Sequence, residues 1–151
     1  MVKSDSTTTI KDLRKQTLRF VKERNWEQFQ NMRSLAISLS LETNELLDHF
    51  QWLNDAEVDK IEKDEAKIEE FAMELADILA YLLIASNKLN IDLSKAFYSK
   101  MDLNNKKYIA ERFKYLTWKE DNKVYQQIRN EHLKEIKLTQ SNNRKNKTKK
   151  P

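Results

Sequence analysis

Glycine and cysteine are both absent from this 151-residue chain, and its one proline is the last residue, Pro151. Without glycine there can be no Gly-rich phosphate-binding loop, no dinucleotide fingerprint and no nucleophile elbow. Without cysteine there is no disulfide, no thiolate zinc site and no thiol nucleophile, a composition that suits a reducing compartment. Histidine is nearly missing too: His49 and His132 are too few for a multi-histidine metal centre. Any chemistry must therefore come from carboxylates, amines, amides, hydroxyls and a metal held by oxygen. No hydrophobic run approaches the roughly 20 residues that span a bilayer. The polar, Ser- and Thr-rich start lacks the apolar core of a secretory signal, so a cytoplasmic location is the expectation.

What remains is rich in Leu, Ala, Glu and Lys, which are good helix formers, and the fold class read from it is all-α. The length is about one domain's worth, enough for a single core that a partner subunit helps to cover. The formal charge of +4 is uneven. Arg144, Lys145, Lys147, Lys149 and Lys150 carry five positive charges, which leaves residues 1–143 at −1. The basic terminus reads as a solvated tail and the body as nearly neutral.

Two apolar stretches carry acids in their interiors. Leu35 to Leu53 contains Glu42 and Glu45, and Phe71 to Asn87 contains Glu74 and Asp77 as its only charged residues. Residues three apart on a helix share one face, so each stretch presents two carboxylates side by side. Buried carboxylates need a partner: either lysines and arginines from other helices or a hard divalent cation, of which Mg²⁺ suits an all-oxygen site.

In chain order, Thr8 or Thr9 caps a first helix to about Arg24, and Asn25 breaks it. Trp26 to Arg33 reads as a turn or short helix, followed by a second helix from Met32 to Leu53. Asn54 to Lys67 reads as a solvated loop or the frayed start of a third helix, Asp64 to Leu89, which is apolar nearly all round and so expected to be buried on most faces. Leu93 to about Tyr108 makes a fourth. Val124, Ile128, His132 and Ile136 recur at spacing four and predict a further helix, with residues 139–151 expected to be disordered. The domain reading is 1–110 as the functional domain, 111–138 as a helical extension and 139–151 as a basic tail.

The string Asn25-Trp26-Glu27-Gln28-Phe29, then Arg33, Leu41-Glu42-Thr43-Asn44-Glu45-Leu46 and Phe50-Gln51-Trp52 resembles the MazG-like nucleotide pyrophosphohydrolases, particularly their dCTP pyrophosphatase branch. Glu74-Leu75-Ala76-Asp77-Ile78-Leu79-Ala80-Tyr81-Leu82 and Lys100-Met101-Asp102-Leu103-Asn104 with Tyr108 are similar to it as well. The resemblance covers about Trp26 to Tyr108. It implies a four-helix fold assembling as a homodimer or homotetramer, with the pocket completed by a neighbouring subunit. It also implies Mg²⁺ on Glu42, Glu45, Glu74 and Asp77, and cleavage of a nucleoside triphosphate, with a lean to dCTP, to monophosphate and pyrophosphate. Such an enzyme would serve nucleotide-pool control or sanitation. By the same carry-over Trp26 and Trp52 contact base or sugar, and Lys100, Asn104 and Tyr108 meet phosphates. Gln30 stands where that branch commonly has a histidine, Ser34 where it has asparagine, and Ile109 where it has proline.

Each residue also has a plainer reading. Trp26 and Trp52 could be core or interface. Tyr81 is either a phosphate or sugar contact or interface packing. Arg33 and Lys100 are candidate phosphate ligands, whereas Lys106 and Lys107 read as solvated charge at a helix C-terminus. Glu45 is the candidate general base. The rival function is a non-catalytic helical interaction protein whose basic tail tethers it weakly to nucleic acid.

Overall fold

A computed structural model describes residues 3–114 and 116–147, the last thirteen of these as helical backbone alone. Among them are six α-helices and no strand: α1 (Ile10–Glu23), α2 (Met32–Asp48), α3 (Asp55–Ile61), α4 (Glu65–Lys88), α5 (Leu93–Lys107) and α6 (Trp118–Lys147). Short 3-10 turns occupy Trp26–Phe29 and Ala110–Arg112. No described helix is long and apolar enough to cross a membrane. The chain divides into two compact units, Met1–Ser94 and Lys95–Pro151.

Capping sets the helix starts in the first unit. Thr9 accepts a hydrogen bond from the Asp12 N–H, and the Asp12 side chain accepts from the Thr9 N–H, a reciprocal box that opens α1. Asn31 caps α2 by accepting from the Ser34 N–H at 3.1 Å. Asp64 caps α4 by accepting from the Ala66 and Lys67 N–H groups. A chain with no glycine must use another residue wherever φ is positive, and among the described residues both such positions, Asn25 and Asn90, are asparagine, which tolerates the left-handed region better than most.

The second helix is shorter than the sequence suggested. It ends at Asp48, not Leu53, and the expected loop after it contains α3. The cause is a second capping box. Asn54 accepts from the Ala56 and Glu57 N–H groups, while Glu57 Oε2 accepts from the Asn54 N–H at 2.9 Å. That box starts a new helix where a continuous one would otherwise run. His49, Phe50 and Phe71 then close the corner as an aromatic cluster, with the His49 and Phe71 rings 5.0 Å apart.

Helix α4 is the spine of this unit, with α1 and α2 packed on it. Val21, Leu35 and Ile84 form the core cluster, flanked by Tyr81 and Ala85. Arg14 reaches from α1 to Ser86 Oγ and the Ile91 carbonyl, tying α1 to the end of α4. The expectation that α4 is buried on most faces fails in the single chain. Met73, Leu75 and Leu82 are exposed, because α1 and α2 can cover only one side of it.

The second unit holds most of α5 and all of α6. Tyr108 stacks on Tyr125 with centroids 5.7 Å apart and planes 8° from parallel, Phe113 meets its edge, and Ile128 is buried. The tail expected from residue 139 is instead helical to Lys147. Nothing between Trp118 and Lys147 is a glycine or proline that would stop a helix. Residues 148–151 and Tyr115 lie outside the described residues, as does the Ile136 side chain.

Candidate active site

Leu35 on α2 meets Tyr81 and Ile84 on α4, while Glu42 and Glu45, further along α2, meet Glu74, which lies earlier on α4. The two helices are therefore antiparallel. Their i, i+3 acid pairs fall on the shared seam. Glu42, Glu45 and Glu74 can each bring an oxygen within 4.8 Å of the others. Glu42 and Glu74 are half-buried, and Glu45 and Asp77 are exposed. In the single chain, then, the acids are not stranded in apolar surroundings; what distinguishes them is crowding of like charge.

That crowding is visible in Glu42. Burial first, then repulsion from Glu45, Asp77 and Glu74, pushes its carboxyl above the ordinary glutamate value. Asp77 thus belongs electrostatically to the same group. Among the described residues no lysine or arginine pairs with any of the four acids; the ion pairs that do form lie elsewhere, for example Arg19–Glu23, Lys67–Glu70 and Arg112–Glu131. The choice left open by the sequence, basic partners or a cation, falls against basic partners among the described residues. Carboxylates alone, converging from two helices, are the donor set that a hard, oxygen-preferring divalent ion takes.

Asp77 faces two ways. It also lines a small cavity of about 100 Å³ together with Thr17, Phe20, Trp26, Gln30 and Tyr81. A larger cleft of about 390 Å³ shares Trp26, Gln30 and Tyr81 with it and adds Phe29, Ser34 and Ser38. The left-handed Asn25 turns the chain out of α1 so that Trp26 stands at the mouth, its ring edge-on to Phe20 at 5.8 Å and 47% of the residue still exposed. An acidic seam therefore runs directly into an aromatic cleft.

Of the residues singled out in the sequence, the four acids, Trp26 and Tyr81 come together here. Arg33 is exposed in the first turn of α2, and Trp52, 85% exposed, sits in the turn after α2; neither lines these clefts. Lys100, Asn104 and Tyr108 belong to the second unit. Gln30 and Ser34, noted in the sequence only as departures from the family pattern, line the cleft, and Ser38 was not singled out at all. A signal existed for the serines, since Ser38 and Ser34 stand four and eight residues before Glu42 on one helical face.

A profile of the MazG-like family matches residues 37–122. The chain belongs to the MazG-like family. That match includes all four acids of the seam. Relatives include dCTP pyrophosphatase 1 of Rattus norvegicus, 39% identical over 103 residues covering 66% of this chain and 59% of the relative. The Homo sapiens dCTP pyrophosphatase 1 is 37% identical over 105 residues, 68% of this chain and 60% of that protein. The chain thus aligns with about three-fifths of the length of these relatives. Among solved structures, a pyrophosphatase from Archaeoglobus fulgidus superposes with a TM-score of 0.59 at 31% identity, covering 72% of this chain and 98% of that one. The MazG-like all-α class expected from the sequence is the class observed.

Proposed function

We propose that this MazG-like chain is a nucleoside triphosphate pyrophosphohydrolase that splits the α–β phosphoanhydride of a deoxynucleotide, dCTP among its substrates. The observation that supports this most is the seam itself: four carboxylates on α2 and α4 with no basic partner among the described residues, the last of which, Asp77, also walls an aromatic cleft. Glu42, Glu45, Glu74 and Asp77 are the residues to hold Mg²⁺. Bound there, the ion supplies charge neutralisation for the polyphosphate and for the departing pyrophosphate. Trp26 offers an open ring face on which a base stacks, and Tyr81, between the core and the cleft, orients the sugar or phosphate. Glu45, the exposed member of the α2 pair, serves in this reading as the general base that accepts a proton from the attacking water.

The remaining assignments are part of the same proposal. Arg33, Lys100, Asn104 and Tyr108 serve the phosphates and Trp52 the base or sugar, in a homodimer or homotetramer whose neighbouring subunit completes the pocket. The apolar residues left open on α2 and α4, among them Ile37, Leu41, Met73 and Leu75, support such an assembly. Residues 1–110 would carry the activity and 111–138 an added helical segment, in a cytoplasmic enzyme of nucleotide-pool control.

The test is direct. Purified protein with Mg²⁺ and a deoxynucleoside triphosphate panel should release pyrophosphate and the matching monophosphate. Glu42→Gln and Asp77→Asn should abolish release while circular dichroism shows the helices intact. Release of orthophosphate instead, or activity surviving both substitutions, overturns the proposal.

A further inference from the structure

The two units carry opposite charge. Residues 95–151 hold sixteen lysines and arginines against six acids, a net +10, which leaves residues 1–94 at −6. Arg144, Lys145, Lys147, Lys149 and Lys150 supply half of that excess, and the other half lies between Lys95 and Asn143. Part of it converges. A cleft of about 320 Å³ in the second unit is lined by Lys106 and Lys107 from the end of α5, Arg112 from the 3-10 turn and His132 from α6, with Glu131 as the acid among them. Glu131 pairs with Arg112 at 3.7 Å, and among the described residues no acid pairs with either lysine. The cleft is also the end of a stripe on α6. Trp118, Asn122, Tyr125, Arg129 and His132 are spaced alternately four and three apart, so they share one helical face, and all five are exposed. At 1.5 Å per residue the stripe is about 21 Å long. Trp118, 83% exposed, stands at one end and the basic cleft at the other. Between them Tyr125 is held by its stack on Tyr108.

We infer that the second unit binds single-stranded nucleic acid, with phosphates at Arg129 and in the Lys106–Lys107 cleft and bases stacked on Trp118 and Tyr125. Positive charge alone attracts any polyanion. Exposed rings in line with it select unpaired bases, because a duplex keeps its base faces inside its own stack whereas a single strand can lay them on aromatic side chains. Charge spread over the whole unit suits a chain of phosphates better than one small anion. Ring faces and backbone contacts carry no base code, so binding tolerates sequence, and DNA and RNA strands share it. The inference stands apart from the proposed hydrolase activity, since none of these groups belongs to the acid seam or to the clefts of the first unit.

Fluorescence anisotropy of labelled oligo(dT) and oligo(U) of about 20 nucleotides, longer than a typical single-strand site, tests this with the full chain over a salt series. EDTA is present so that no metal bridges phosphates to the acid seam. Both strands should bind, with log K falling linearly in log salt by about 0.7 for each phosphate neutralised. The double variant Lys106→Gln, Arg129→Gln should weaken binding at least about tenfold and make that slope shallower by about 1.4. Trp118→Ala removes an exposed ring, leaves circular dichroism unchanged, and should weaken binding by about tenfold at an unaltered slope. A charge-matched control in the tail, Arg144→Gln with Lys145→Gln, should cost less affinity than the double variant. The inference is overturned if neither strand binds, if a duplex of the same length binds more tightly, if the tail control costs as much as the double variant, or if Trp118→Ala binds like wild type.

Discussion

Neutralising Glu42 should make the metal-free protein more stable and abolish its response to Mg²⁺, an opposition expected only if the acid seam is a site kept under repulsion for a cation. Glu42, Glu45 and Glu74 offer oxygens within 4.8 Å of one another. Two like charges at that distance repel by about 1 kcal/mol in water and by about 3 kcal/mol at an effective dielectric near 20. Glu45 is exposed and Glu42 and Glu74 are only half-buried, so the watery value applies. Removing the charge of Glu42 from both neighbours should then stabilise by about 1–2 kcal/mol after salt screening, or about 3–6 °C in Tm for a chain of this length. Wild type should gain about 3 kcal/mol when Mg²⁺ is at a hundred times its Kd, and Glu42→Gln should gain little. The pH dependence has a definite sign. Because the folded protein holds the Glu42 carboxyl above its ordinary value of 4.5, folding favours the protonated form. The metal-free wild type is penalised as pH rises through that raised value. The advantage of Glu42→Gln should be full near neutrality and fade below pH 4.5. Differential scanning calorimetry with EDTA or Mg²⁺ at both pH values measures all of this. If Glu42→Gln lowers the metal-free Tm, or leaves the Mg²⁺ response intact, the reasoning is wrong.

The other predictions concern single elements. Glu74→Gln should reduce pyrophosphate release at least about a hundredfold with α-helical content unchanged, read by a coupled phosphate assay and circular dichroism. Leu35→Ala removes one of the most buried side chains of the α1–α2–α4 core and should cost about 2–5 kcal/mol in urea unfolding. Asp12, held below its ordinary value by the Thr9 hydroxyl and then the Thr9 N–H, contributes stability that is present above pH 3.8 and lost as pH falls through the lowered value. In Thr9→Ala, an NMR titration should find the Asp12 carboxyl moved back up toward 3.8. Placing a charge on the open apolar face, as in Met73→Lys, should shift the sedimentation coefficient toward that of the monomer; an unchanged sedimentation profile would count against an interface there.

The helical class, a cap at Thr8 or Thr9, the break at Asn25, the acid pairs and their common face on each helix were all determined by local rules, and local rules act through residues a few positions apart. Glycine's absence and the i, i+3 spacing needed no tertiary information to interpret. The early end of α2 at Asp48 was also written locally, in the Asn54–Glu57 box, but it competes with an apolar pattern running on to Leu53, and pattern alone does not rank the two. What only the tertiary structure decided is which faces meet. The antiparallel packing of α2 on α4 brings Glu42 and Glu45 to Glu74, and sets Gln30 and Trp26 opposite Tyr81 some fifty positions away. It also leaves Met73 and Leu75 open although their helix is apolar nearly all round. Such encounters depend on how three helices share one small core around Val21, Leu35 and Ile84, a quantity that periodicity along the chain does not contain.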